Sequence, residues 1–181
     1  MKSQPNIELL EGLALKLDPE LLIQTELGIT NAVWHGIKRA GGSIIAVMDG
    51  DGTHEVEDLM RMLGLLNFYE ADLVVGVRRH FGYPLMRRII SLAFNLFTRL
   101  FLRLDSRDPM SAFYVGRSEA MLFENVKSCK FGVELQLRAK RMLQVEIRHK
   151  PRASHKSHLR PQEALYLIQQ LVRLRAQCFQ R

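Results

Sequence analysis

The stretch Ser43–His54, S-I-I-A-V-M-D-G-D-G-T-H, constrains the fold more than any other part of the chain. Five apolar residues, Ile44–Met48, predict a buried strand, and Asp49 and Asp51 end it with two carboxylates one residue apart. Apolar residues at helical spacing follow over Glu55–Tyr69. This arrangement favours a divalent-cation site, because hard cations prefer carboxylate oxygens and ligands of open α/β sheets collect where strands end. A plain surface turn, in which Asp-Gly is common, is the alternative.

Charge divides the chain into an acidic and a basic half. The 181 residues are enough for one domain, predicted over 1–181, with its own core. Residues 1–80 carry 7 basic and 12 acidic side chains, whereas residues 81–181 carry 19 and 7. A basic half indicates an anionic partner, which charge alone leaves open between phosphates, a membrane surface and nucleic acid.

The remaining elements alternate between helices and strands. A helix over Gly28–Ala40 precedes the first strand, and a second strand is predicted over Asp72–Val77, which makes a βαβ unit with parallel strands. Further predicted helices are Leu85–Leu104, Glu119–Val126, Phe131–Met142 and Pro161–Phe179, and further predicted strands are Ser111–Val115 and Gln144–His149. The sequence therefore predicts an α/β domain with a mostly parallel sheet. Residues 1–27 are predicted to form an atypical helical lead-in, and residues 160–181 a C-terminal amphipathic helix.

Two cysteines, Cys129 and Cys178, without metal-type spacing favour a reducing, cytoplasmic compartment. Met1–Leu10 has no apolar core of a signal peptide. The most apolar segment, Leu85–Leu104, carries polar residues in a narrow helical stripe and charges that argue against a membrane span. Its wide apolar face is expected to pack in the core, to contact lipid as an interfacial helix, or both. The same choice is open for Pro161–Phe179.

The string I-I-A-V-M-D-G-D-G-T resembles motif I of the haloacid dehalogenase-like phosphatases. In that family the first Asp is the nucleophile and the second an acid/base, and a downstream pair of aspartates completes the metal site. The later aspartates of this chain are Asp58, Asp72, Asp105 and Asp108, and none belongs to such a pair at the end of an apolar strand.

A longer series of motifs follows in order from Gly28 to the C-terminus. They are G-x-x-x-A-x-x-x-G-x-x-x-A-x-G at Gly28–Gly42, V-M-D-G-D at Val47–Asp51, A-D-L-V-V-G-V-R at Ala71–Arg78, R-D-P-M-S-A-F at Arg107–Phe113, K-F-G-V-E-L-Q-L-R-A at Lys130–Ala139 and a degraded H-K-S-H-L at His155–Leu159. This series resembles the family 2 glycosyltransferases of GT-A fold, specifically the dolichyl-phosphate mannose synthase branch and its polyprenyl-phosphate relatives.

The resemblance implies a hexosyltransferase that uses Mg²⁺ or Mn²⁺ to move a sugar, with inversion, from a nucleotide-sugar to a polyprenyl phosphate. GDP-mannose is the implied donor, and the cytosolic face of an anionic membrane is the implied location. Nucleic-acid binding is not expected, because no aromatic and basic module accompanies the charge.

The residues that match the family's motifs carry the implied roles. Asp49, Asp51, Arg78 and Arg107 are the catalytic candidates; Asp49, Asp51 and Thr53 hold the metal; Asp49, Lys156 and Ser157 bind the donor diphosphate; Arg78, Arg107 and Ser111 bind the acceptor phosphate; Asp108 and Glu134 are further candidates. Each Arg is alternatively a solvated surface charge. Glu134 orients an Arg or acceptor group, or is a carboxylate on a helix surface.

One departure from the family is large. The family begins with two strands that bind the base and ribose of the nucleotide, and Met1–Leu27 contains neither the apolar runs nor the acidic pair of those strands. The chain is therefore expected to be N-terminally truncated relative to the family. An inactive homologue that acts as a binding or regulatory subunit is the alternative, and the exposed sheet edge invites a homo-oligomer.

Overall fold

A computed structural model describes residue 20 and residues 22–23, 28–79, 85–123, 131–148 and 161–178. Within them, four strands form one sheet: β1 (Ile44–Val47), β2 (Leu73–Arg79), β3 (Tyr114–Arg117) and β4 (Met142–Arg148). The strand order is β1-β3-β2-β4. β3 runs antiparallel to both of its neighbours, and β2 and β4 are parallel. Three of the four strands therefore point the same way, and helices flank the sheet, which confirms the predicted α/β class. Two of the three strand pairings are antiparallel, so the sheet is mixed rather than mostly parallel.

The first two strands are parallel, as predicted, but they are not neighbours in the sheet. β1 and β2 are parallel to each other, but β3 lies between them, and Tyr114 of β3 is opposite both Val47 and Val75. Tyr114, Val115 and Gly116 are buried, as befits a central strand. The connection from β1 to β2 therefore crosses β3, which comes from later in the sequence and which no local pattern could assign to this position.

The helices of the described residues are α1 (Ile29–Arg39), α2 (Val56–Phe68), α3 (Leu85–Leu102), α4 (Ser118–Met121), α5 (Phe131–Arg138) and α6 (Pro161–Cys178). α2 covers one face of the sheet, where Met62 and Leu66 pack against Val74. α1 and α5 cover the other face, where Ile37 and Leu135 join a core that contains Leu73, Val75 and Tyr114. Alternate residues of β2 thus enter opposite cores, as the two-residue period of a strand requires.

Two predicted boundaries move for local reasons. The helix predicted to reach Met142 ends at Arg138, because a turn follows in which the amide N–H of Arg141 donates to Asp72 Oδ2 at 2.9 Å. This contact starts β4 beside β2. β3 begins at Tyr114 rather than Ser111, because the N–H of Ser111 donates to the carbonyl of Asp108 at 3.1 Å in a turn.

α3 has one face packed in the core, as expected, and one face exposed, while its contact with lipid stays a prediction. Leu102 and Phe94 pack with Leu171 and Leu174 of α6 in a third core cluster. A stripe of aliphatic residues at helical spacing is exposed on α3: Leu85, Ile89, Leu92, Leu96 and Leu100. This set is called the α3 stripe below. Beside it, Ile90, Ala93, Phe94, Phe97 and Ile168 line an open apolar groove of about 340 Å³.

No helix among the described residues is long and apolar enough to cross a lipid bilayer. The helical lead-in lies largely outside the described residues, and so does part of the predicted helix Glu119–Val126. Residues 149–160, which carry four Lys or Arg side chains and are predicted from the sequence to form a loop, also lie outside them; this segment is called the basic loop below.

Candidate functional site

The D-x-D turn lies directly after β1, at the end of the strand that was expected to position it. Asp49 is half-buried and Asp51 is exposed. Gly52 has a φ of 75°, a left-handed conformation that glycine adopts without steric cost, and so the chain turns away from the sheet there. Thr53 and His54 follow, and only 1% and 6% of their surfaces are exposed. The carboxylates of Asp49 and Asp51 thus lie at the end of β1, and the next two side chains, Thr53 and His54, are buried and polar.

Thr53 holds the carboxylate of Asp51. The hydroxyl of Thr53 donates to Asp51 Oδ1 at 2.6 Å, and the N–H of Thr53 donates to the same oxygen at 3.1 Å. This is the local side-chain-to-backbone pattern typical of Asp in a turn. Asp51 Oδ1 is therefore occupied by protein donors, and metal ligation by Thr53 stays a prediction.

His54 holds the backbone of Asp49. The N–H of Asp49 donates to Nδ1 of His54 at 3.0 Å, and the imidazole stacks on the ring of Phe113 with centroids 4.5 Å apart. Burial lowers the pKa of His54 below its ordinary value, although the charges of Asp49 and Asp51 oppose this shift and that of Arg78 adds to it. The ring is accordingly neutral at pH 7.

Arg78 and Asp108 form a partly buried bidentate ion pair. Nε and Nη2 of Arg78 donate to the two carboxylate oxygens of Asp108 at 2.7 and 2.8 Å, and the Arg78 amide donates at 3.2 Å. Nδ2 of Asn95 adds a fourth hydrogen bond at 3.0 Å. The Arg78 side chain is only 22% exposed, so the alternative of a solvated surface charge is wrong for this residue.

The same contacts set the ionisation of Asp108, which is 2% exposed. Burial alone would raise the pKa of this carboxyl, but the hydrogen bonds and charge of Arg78, together with Asn95, hold the pKa below its usual value. Asp108 is therefore a stable carboxylate. A group with a lowered pKa is a weak general base at neutral pH.

Arg107 is an exposed residue of the loop that follows α3, and Gln144 of β4 holds this loop through two hydrogen bonds. Oε1 of Gln144 accepts the N–H of Arg107 at 2.6 Å, and Nε2 of Gln144 donates to the carbonyl of Asp105 at 3.0 Å. Nη1 of Arg107 is 3.5 Å from a carboxylate oxygen of Glu146. The guanidinium side chain is 54% exposed, which leaves it accessible to a phosphate.

Two further candidates are buried. The hydroxyl of Ser111 accepts the N–H of Phe113 at 3.3 Å. Glu134 is 1% exposed and accepts a hydrogen bond from Nη2 of Arg138 at 2.8 Å. The alternative of a helix-surface carboxylate is therefore wrong for Glu134, and the expectation that it orients an Arg agrees with this contact. Lys156 and Ser157 lie outside the described residues.

The D-x-D turn and Arg78 share one neighbourhood. The charges of Asp49, Asp51 and Arg78 all act on His54, and burial together with the nearby charge of Asp49 raises the pKa of Tyr114 well above its usual value. The sequence interpretation missed His54, Asn95 and Gln144 as parts of the site. The position of His54 directly after the D-x-D was a usable signal, whereas a glutamine in an alternating strand gives none.

The donor set at the D-x-D turn fits a hard divalent cation. Asp49 and Asp51 supply carboxylate oxygens, and Mg²⁺ in particular often takes only one or two protein carboxylates and completes its shell with water and substrate phosphates. In the part of the chain that the structure describes, no group of three or more His, Cys, Asp or Glu side chains comes together as a metal site. Asp49 and Asp51 are thus the carboxylates that would hold a cation here, with water and substrate oxygens as its further ligands.

A mixed α/β sheet with a D-x-D turn after β1 and a cationic side chain nearby agrees with the GT-A class of fold. The model of the family described as Glycosyl transferase family 2 matches residues 10–128, more than half of the chain. The chain belongs to this family. The match begins at residue 10, before the motif series that starts at Gly28. It favours the transferase resemblance over the phosphatase resemblance.

Two relatives transfer sugars in the context of polyprenyl phosphates, as their names state. The undecaprenyl-phosphate mannosyltransferase of Micrococcus luteus is 31% identical over 110 residues, which cover 56% of this chain and 44% of that protein. The dodecaprenyl-phosphate galacturonate synthase of Rhizobium johnstonii is 40% identical over 70 residues, which cover 39% of this chain and 20% of that protein. The matched region thus spans less than half the length of either relative.

A solved structure supports the fold. The glucosyl-3-phosphoglycerate synthase of Mycobacterium tuberculosis, in complex with Mn²⁺, UDP and glucosyl-3-phosphoglycerate, superposes with a TM-score of 0.60 at 17% identity. The superposition covers 90% of this chain and 61% of that one. At this identity the likeness concerns the fold alone, and it agrees with the predicted GT-A fold.

Proposed function

We propose that this chain, alone or as part of a longer protein, transfers a sugar with inversion from a nucleotide-sugar to a polyprenyl phosphate. The observation that carries the proposal is the D-x-D turn whose carboxylates share a neighbourhood with Arg78. The names of the two relatives support the acceptor class. Mannose from GDP-mannose is the first sugar to test, because the Micrococcus relative is a mannosyltransferase, and a galacturonate donor is the second.

Asp49 and Asp51 would hold Mg²⁺ or Mn²⁺, with Thr53 fixing Asp51 and adding at most a weak or water-mediated ligand. When bound, the cation would neutralise the diphosphate that leaves as the glycosidic bond breaks. Lys156 and Ser157 are proposed to bind the same diphosphate from the basic loop.

Arg78, Arg107 and Ser111 would orient the acceptor phosphate. The second pKa of a phosphomonoester is about 6, so the attacking oxygen is already ionised at neutral pH and needs no general base. That oxygen forms a bond to the anomeric carbon, the bond from this carbon to the donor diphosphate breaks, and the electron pair leaves with the nucleoside diphosphate. Arginine suits the positioning role because its planar fork can bind phosphate in a bidentate manner, and the Arg107 side chain is 54% exposed for such contact. Nε and Nη2 of Arg78 already bind Asp108, so Arg78 would act on the phosphate chiefly through its positive charge.

The acceptor lipid implies a membrane surface, and we propose that the α3 stripe contacts it at the cytosolic face. Its exposed aliphatic side chains and the basic half of the chain suit an anionic bilayer. Among the described residues, β1 has β3 as its one sheet neighbour, so self-association through the other edge of β1 is a further proposal, which light scattering after size exclusion would test.

The central experiment is isothermal titration of GDP, UDP and GDP-mannose in the presence of Mn²⁺. The wild-type chain is compared with Asp49→Asn and Asp51→Asn, and Glu57→Gln is the control, because Glu57 is an exposed carboxylate on the adjacent helix α2. We expect metal-dependent binding in the wild type and the control and its loss in both Asp variants. Wild-type binding that does not depend on metal would contradict the proposal.

Turnover then separates an enzyme from a binding subunit. With a short polyprenyl phosphate as acceptor, an active transferase releases nucleoside diphosphate only when both substrates are present. Metal-dependent binding without any such release would identify the inactive homologue instead.

A further inference from the structure

Both aspartates of the D-x-D turn are held by the residues that come next in the chain. Thr53 donates to the carboxylate of Asp51, and His54 accepts the backbone N–H of Asp49. The turn from Asp49 to His54 contains Gly50 and Gly52 and would otherwise sample many conformations. A backbone fixed in advance reduces the ordering that a bound cation and diphosphate must impose.

We infer that His54 is a positioning residue for the cation and diphosphate site, because its Nδ1 atom fixes the backbone of Asp49 and thereby the direction of the Asp49 carboxylate. The inference rests on the proposed function, since it assigns His54 to the same site. His54 would not touch substrate. It acts through Asp49, as groups behind a metal ligand commonly do.

The geometry requires one tautomer of the imidazole. Nδ1 can accept the N–H of Asp49 only if the ring proton is on Nε2, because a proton on Nδ1 would face another donor. The charged groups that act on the ring are the carboxylates of Asp49, Asp51 and Asp58 and the guanidinium of Arg78. The 3.0 Å hydrogen bond from the N–H of Asp49 identifies Nδ1 as the acceptor.

Phe113 completes the arrangement from the neighbouring strand connection. Its ring is fully buried one residue before β3 and lies against the imidazole with an interplanar angle of 21°. The ring plane of His54 is therefore set by packing, and the stacking on Phe113 joins the turn after β1 to the start of β3. A side chain so held can orient a ligand, because its own conformation is fixed by its surroundings.

Two substitutions distinguish the contribution of the acceptor atom from the contribution of the aromatic ring. His54→Phe keeps an aromatic ring for stacking on Phe113 but removes the acceptor, whereas His54→Asn offers an amide oxygen close to the position of Nδ1 and removes the ring. His35→Phe is the control, because His35 is a half-buried histidine on α1, an element other than the D-x-D turn. Thermal denaturation of each variant shows whether it remains folded at the temperature of the measurements.

The first measurement needs no ligand. In metal-free protein, ¹⁵N NMR of the imidazole should show the proton on Nε2 and an unprotonated Nδ1, and the amide proton of Asp49 should exchange about tenfold more slowly in the wild type than in His54→Phe, as loss of one hydrogen bond implies. A protonated Nδ1 at pH 7, or equal exchange rates, would overturn the inference.

The second measurement is titration with Mn²⁺ in the presence of a nucleoside diphosphate. His54→Phe should bind Mn²⁺ about 10- to 100-fold more weakly, and His54→Asn should recover most of that loss. Wild-type affinity in His54→Phe, or equal losses in both variants, would refute a positioning role. If the wild type binds no Mn²⁺ while the exchange result holds, the proposed function fails and the hydrogen bond to Asp49 remains as a feature of the turn.

Discussion

Replacement of Asp108 with Asn should destabilise the protein by about 3 kcal/mol, the lower end of the range for breaking a buried ion pair. The carboxylate accepts three hydrogen bonds from Arg78 and one from Asn95. An asparagine keeps one acceptor oxygen and turns an NH₂ group towards these donors. Arg78 would lose its counter-charge while only 22% of its side chain is exposed, and this remaining access to water is why the lower end applies.

Urea unfolding followed by circular dichroism at pH 7 measures this free energy of unfolding. Arg78→Met and the double variant complete a thermodynamic cycle. We expect the double variant to be about 2 kcal/mol more stable than the sum of the two single changes predicts. The reason is that each single change leaves the other residue of the pair without its counter-charge. A cost below about 1 kcal/mol for Asp108→Asn, the size found for exposed pairs, would show that water solvates this pair and would refute the reasoning.

Acid unfolding gives an independent check of the same pair. The pKa of Asp108 is held below its ordinary value of 3.8, so the folded state binds this proton less readily than the unfolded state. The stabilisation is therefore fully present above about pH 4 and is lost as the pH falls through the lowered pKa. Wild-type stability should fall more steeply than that of Asp108→Asn below pH 3.8, and parallel acid curves would contradict the assignment.

Two further predictions follow from other contacts. Gln144→Leu removes both hydrogen bonds to the Arg107 loop and should raise the KM for polyprenyl phosphate with little change in the KM for the donor. Gln144→Glu should be intermediate because it retains an acceptor. If the role is only structural, steady-state kinetics would show equal changes in both KM values. Gly132→Ala would put a methyl group 3.0 Å from the carbonyl oxygen of Ser111 and should lower the free energy of unfolding in urea by about 1–3 kcal/mol. Gly64→Ala adds a methyl group with nothing within 4 Å of it and should stabilise α2 by about 0.5–1 kcal/mol. Equal effects of the two substitutions would show that α5 can shift freely.

The strand and turn at Ile44–Asp51 could be predicted because the evidence is local. An uninterrupted apolar run, two acidic residues and two glycines lie within a dozen positions, and β1 ends where that pattern ends. The order of strands could not be predicted in this way. β3 enters between β1 and β2 because residues far apart in the chain complete two cores, and neither core is visible in any one segment.

The charged residues of the site show the same division. The positions of Arg78 and Asp108 in their motifs marked them as candidates, but the sequence left open whether each is solvated or buried. The two residues are 30 positions apart, and only the fold brings the guanidinium and the carboxylate into bidentate contact. Glu134 was equally ambiguous, since a helical carboxylate with an Arg four positions later resembles an ordinary surface pair until the helix is packed.

α3 connects the two ends of the proposed acceptor site. Its outer face carries the α3 stripe, and its inner face carries Asn95, which donates to the same Asp108 oxygen that Nη2 of Arg78 contacts. The proposed lipid-facing surface and the proposed phosphate-binding Arg78 are therefore joined through two hydrogen-bonded side chains. Because the phosphate of a polyprenyl phosphate stays at the membrane surface while its chain lies in the bilayer, a helix that contacts lipid on one side and supports the phosphate ligand on the other suits this acceptor. A soluble phosphate acceptor would give no reason to expose the α3 stripe.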